Sequence, residues 1–154
     1  MISLPTTAQI LLDCRRELLD IIGPEVSSDA GKVSVQMLEN VLRNVALRAA
    51  HEIAWMHDET AAMESLARDT VAAHPSATAV VEALAALDAA PRLSLHLDDV
   101  VAVYSLAGEA FSCSLEAALA AGDTELGGRG ATLLAARSAT EVQIMGEWGF
   151  VGRG

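Results

Sequence analysis

Residues 32–73 read KVSVQMLENVLRNVALRAAHEIAWMHDETAAMESLARDTVAA, and neither glycine nor proline interrupts them. Leu38, Val41, Leu42, Val45, Ala49 and Ile53 recur at three and four, which places them along one side of an α-helix and excludes a strand's strict alternation. Glu39 and Arg43, and again Glu64 and Arg68, stand four apart in the order that favours a helical ion pair. The spacing predicts one long helix continuing to about Ala73. A break at His57–Thr60 is the alternative, with Asp58 capping a new helix there.

Shorter helices are expected on both sides of this run. Upstream, Thr6 with Gln9 forms a capping-box pattern, and Gly23-Pro24 closes the helix that follows. Ser27–Gly31 reads as the first loop, with the long run starting near Val33. Downstream, His74-Pro75 ends the long run and Ser76 caps a helix that buries Val80, Val81, Leu84 and Leu87. Asp98 and Asp99 suit the first turn of the next helix, whose inner side is Val100, Tyr104, Ala107, Phe111, Leu115 and Ala118. Gly122 and the cluster Gly127–Gly130 read as a flexible connection before a last helix from Ala131 to Met145. The expectation is an all-α fold, an antiparallel bundle of five or six helices with one long central helix. It forms a single domain over residues 1–154, with a glycine-rich tail at 146–154.

Composition narrows the function classes. The chain has 154 residues and is 52% hydrophobic, yet only 3% aromatic. Its apolar mass is therefore mostly Ala, Leu and Val, and few rings are left to stack on nucleobases. A net charge of −11 opposes nucleic acid and anionic lipid, so neither is an expected partner. No stretch of about 18 apolar residues is free of charge, and the first residues lack a basic leader, so the sequence reading is cytoplasmic. Cys14 and Cys113 have no metal-type spacing and read as free buried thiols.

The segment HEIAWMHDETAAME, His51 to Glu64, carries the densest set of reactive groups. At about 100° per residue, His51, Trp55 and Asp58 share a face and form the candidate ligand-binding site. His57 projects near Glu64 instead. His51 and His57 are six apart, and no Glu-x-x-His occurs, so no metal site and no cofactor is expected. A metal-dependent helical hydrolase using Glu52, Asp58 and Glu59 is the weakest alternative, because the spacing is poor. Gly127–Gly130 lacks the lysine and βαβ unit of a phosphate loop. No Gly-x-Ser-x-Gly is present. In the tail, Trp148 and Phe150 are candidate partner contacts, docking on their own chain or on a second copy.

Two resemblances accompany these readings. The stretches PTTAQILLDCRRELLD, Pro5 to Asp20, and VQMLENVLRNVALRAAHE, Val35 to Glu52, resemble a small bacterial family of all-helical domains of unknown function. That family is associated with acyl-CoA dehydrogenase-like and aminoglycoside-phosphotransferase-like proteins. The resemblance covers roughly the first 70 residues and implies an accessory role near acyl-CoA metabolism, with no catalytic residue. The ending SATEVQIMGEWGF is similar to a Gln-x-x-Gly-Gly-x-Gly-Phe segment of acyl-CoA dehydrogenases. Gln143, Gly146, Gly149 and Phe150 match it, while Glu147 replaces the second glycine. The chain is too short to hold their flavin domains, so the likeness implies no FAD.

Together these readings predict a non-catalytic helical accessory or interaction protein, forming a homodimer and engaging a protein partner. The alternative is a small ligand-binding protein or enzyme using His51, Trp55 and Asp58.

Overall fold

A computed structural model describes residues 4–92 and 94–145. Every regular element among them is helical: α1 (Thr7–Glu17), α2 (Gly23–Glu25), α3 (Asp29–Ala73), α4 (Thr78–Ala89), α5 (Leu97–Ala121) and α6 (Thr124–Met145). The expected all-α class holds, with α3 as one helix of 45 residues. No break occurs at His57–Thr60. Good helix formers fill the run on both sides of Asp58, so propagation outweighs the local capping alternative.

Local chemistry sets the other ends. Thr6 Oγ1 accepts from the Gln9 amide while Gln9 Oε1 accepts from the Thr6 amide, completing the capping box. Pro24 cannot donate a hydrogen bond, and its ring crowds the carbonyl four residues back. The chain before it widens into a π-helical turn, Leu18–Ile22, with the Gly23 amide bonded to the Leu18 carbonyl. α3 then starts at Asp29, earlier than expected, because Ser28 Oγ accepts from the Gly31 amide and acts as a cap.

The glycine cluster is a correction to the sequence reading. Gly127, Gly128 and Gly130 lie inside α6, which begins at Thr124. Gly122 adopts a left-handed φ of 67° and ends α5. Asp123 Oδ1 then accepts from the Glu125 and Leu126 amides at 3.1 and 3.0 Å, nucleating the next helix at once. Gly130 is buried where a Cβ would stand 2.1 Å from Leu115 Cδ2, so its missing side chain admits α5 against α6.

The chain divides into two compact units. The described part of the first is residues 4–52 and 140–145, and the second is Ile53–Ala139. The second unit has a continuous core. Met63, Leu66 and Ala67 of α3 meet Val80, Ala83, Leu84 and Leu87 of α4, Ala107, Ala110, Phe111 and Ala118 of α5, and Leu126 of α6. Val81 faces out instead of in, and Ala83 takes the inner position. Tyr104 and Leu115 are half-buried. Alanine at so many contacts lets the helix axes approach closely.

Charged pairs fix the helix directions in this unit. Going along α3, Glu59 and Asp69 meet Arg137 and Arg129, and His74 just after it meets Asp123 just before α6, so α6 runs antiparallel to α3. Glu64 and Arg68 meet Arg92 and Asp88, so α4 also returns antiparallel. α5 is long and apolar enough to cross a bilayer by length and composition, and its inner face supplies much of this core.

Gly128 is exposed, helical and has open space around its Cα. Replacing it by alanine raises stability by about 0.5–1 kcal/mol in urea unfolding. Gly130→Val lowers stability in the same assay by roughly 1–3 kcal/mol, because the branched side chain overpacks against Leu115.

Candidate functional site

The first unit differs from the second in how it treats its apolar side chains. Among its described residues only Leu18 and Ala46 are buried hydrophobics. α1 turns Leu11 and Arg15 inward, the π-helical turn after it turns Leu18 inward, and α3 turns Val35, Glu39, Leu42 and Ala46 inward. Buried Glu39 accepts from Arg15 Nε at 2.7 Å and from Gln36 Nε2 at 3.1 Å. The expected Glu39–Arg43 pair does not form. Arg43 donates to the Asn40 side chain and to the Met145 carbonyl, because Arg15 reaches Glu39 from a facing helix.

Opposite this inner side, α3 carries an outward apolar face. Val33, Met37, Val41 and Val45 stand four apart, with Leu38 beside them, and all five are 43–60% exposed. No charged residue lies on this face between Val33 and Val45. Glu39 and Arg43 point away from it, and Arg48 is the first charge beyond it. Ile10, Leu12, Leu19, Ile21 and Ile22 are also open in the same unit. Helical periodicity marked this run as apolar, but it could not reveal that one apolar side would be covered and a second left open.

The predicted ligand trio lies one turn further along. His51, Trp55 and Asp58 do fall along one line of α3. His51 and Asp58 are exposed and Trp55 is half-buried. None of them lines the cleft around His57, Glu64 and Arg92, the hollow beside His74 and Cys113, or the one beside Leu66 and Leu133. Glu52 pairs with Arg48, and Glu59 is held by Tyr104 and Arg137. Among the described residues no group of three His, Cys, Asp or Glu stands close enough to hold a metal ion. Trp148 and Phe150 lie outside the described residues.

His57 and Glu64, near each other in helical projection, do share a cleft of about 170 Å³ with Thr60, Arg92, Asp99 and Val103. Burial alone would raise the Glu64 carboxyl, but hydrogen bonds from Arg92 and Arg68 outweigh it and hold Glu64 below the ordinary carboxylate range. Arg68 also binds Asp88 at 2.6 Å. A carboxylate stabilised in this way is a weak base and stays ionised near neutrality, so it suits helix pairing better than proton transfer. Arg92 follows Pro91 in a connection between helices, and no spacing in the sequence foretold its pairing with Glu64.

Two further polar groups tie helices together. Tyr104 Oη donates to Glu59 Oε2 at 2.7 Å, accepts from Arg137 and lies under its guanidinium. Burial first, and Glu59 next, push the Tyr104 hydroxyl above its ordinary pKa. His74 Nε2 stands 2.9 Å from Asp123 Oδ2. The Leu126 amide and then His74 hold the Asp123 carboxyl below its ordinary value. Of the two thiols, Cys14 is exposed, because it falls on the outer side of α1. Cys113 is half-buried, and burial, then Glu116 and Glu109, push its pKa up, which opposes thiolate chemistry.

Comparison with family models, curated proteins and solved structures finds no match to this chain.

The two depressed carboxyls set the acid response. Both carboxyls titrate lower in the folded chain than ordinary unfolded carboxyls, which lie at about 4. Each contribution is complete above the unfolded value and is lost as pH falls through the folded one. Urea midpoints are therefore flat above about pH 5 and fall below about pH 4. Glu64→Gln lowers the plateau and reduces the fall. Tyr104→Phe at neutral pH lowers stability by about 1–2 kcal/mol, since it leaves Glu59 and Arg137 one hydrogen bond short.

Proposed function

We propose that this protein is a non-catalytic helical interaction protein whose second unit is a self-sufficient scaffold and whose first unit presents the contact surface. The observation that carries this reading is the uncharged apolar face of α3, open from Val33 to Val45. Each half-open valine or leucine there leaves about 1 kcal/mol of burial unrealised. An uncharged strip of exposed apolar side chains, interrupted only by Ser34 and Asn44, marks a protein-binding surface more often than scattered exposure does. The ion pairs of the second unit serve packing, as the held Glu64 carboxylate and the Glu59–Tyr104–Arg137 group illustrate.

An apolar dye that fluoresces on binding tests the reading directly. Dilute protein binds the dye, and Met37→Glu or Val45→Glu removes most of the signal without changing helicity by circular dichroism. Dye binding that neither substitution alters would contradict the reading.

A further inference from the structure

We propose that the occupant of the α3 face is a second copy of this chain, the two α3 helices crossing through their own Val33–Val45 faces about a two-fold axis. The inference rests on the interaction reading above and names its partner. Three features of the face favour a copy over a different protein.

The first is shape. Val33, Met37, Val41 and Val45 form a ridge at four-residue spacing, and ridges of that spacing interdigitate with their own kind at a crossing angle of about −50°. An isologous contact needs a self-complementary patch, with residue i touching j and j touching i. Here Met37 of one copy faces Val41 of the other across the axis.

The second is charge. The chain carries −11, so two copies repel over most of their surface. This face has no charge between Val33 and Val45, so pairing there opposes no like charges at close range. It also offers nothing to steer or select an oppositely charged partner.

The third is area. At roughly 90 Å² apiece, the open parts of five side chains on each copy amount to about 900 Å² in total, at the low end of areas where weak, transient association occurs. The backbone and small residues between them add to this. The expected complex is therefore a reversible dimer of micromolar strength.

The test is sedimentation velocity on the full chain from about 1 to 200 µM. The expected result is a concentration-dependent monomer–dimer equilibrium that does not weaken from low salt to about 0.5 M salt, because no ion pair holds it. Val41→Glu lowers the association constant at least tenfold with helicity unchanged. Val41→Cys, made with Cys14→Ser and Cys113→Ser, is joined into a covalent dimer by a short bismaleimide, whereas Ser105→Cys in the same background is not. A wild-type chain that stays monomeric to 200 µM overturns the second-copy inference. So does a dimer indifferent to Val41→Glu. If the monomeric chain still binds the apolar dye through Met37, the interaction reading survives that failure. If it binds no dye, both fall.

Discussion

A helix satisfies its own backbone along its whole length, but its side chains need partners from elsewhere. α3 is 45 residues long. Along its second half three other helices supply those partners. Along its first half the inner side is covered, and the outer apolar side is not. This mismatch between the length of α3 and the length of its covering is the constraint from which the other features follow.

The second unit meets the constraint with small residues and paired charges. Alanines at 67, 83, 107, 110 and 118, together with Gly130, bring the helices close, and Met63, Leu66, Leu87 and Phe111 fill the space between them. Charged pairs at the margins, Glu64 with Arg92 and Asp69 with Arg129, set direction and register. Exposed pairs of this type contribute little stability each. Their value is that a shifted register would leave several of them unmatched. Even the fully buried hydroxyls of Thr70 and Ser114 turn back onto carbonyls of their own helix and demand nothing from neighbours.

Much of this was legible from residues alone. The three/four spacing identified α3, α4 and α5, and Thr6 with Gln9 marked the first cap. Local pattern failed where a partner distant in sequence decided the outcome. Spacing pairs Glu39 with Arg43, yet Arg15 takes it from another helix. Gly127–Gly130 carries the composition of a loop, but the Asp123 cap and the close approach at Gly130 make it helix. The trio His51, Trp55 and Asp58 falls along one line of α3, but helical projection cannot show whether other elements build a cavity around it. Nor could it show that a face of Val33, Met37 and Val41 would remain open, since an apolar stripe reads the same whether its partner lies in the same chain or in another.

The central claim is that the first half of α3 acquires its missing partner from a second copy. Hydrogen–deuterium exchange of the full chain at two concentrations, about 1 and 200 µM, tests it most directly. The account predicts that amides in residues 33–45 exchange more slowly at the higher concentration, while those in residues 63–70, covered within the chain at any concentration, do not change. Exchange in residues 33–45 that is equally fast at both concentrations would contradict it.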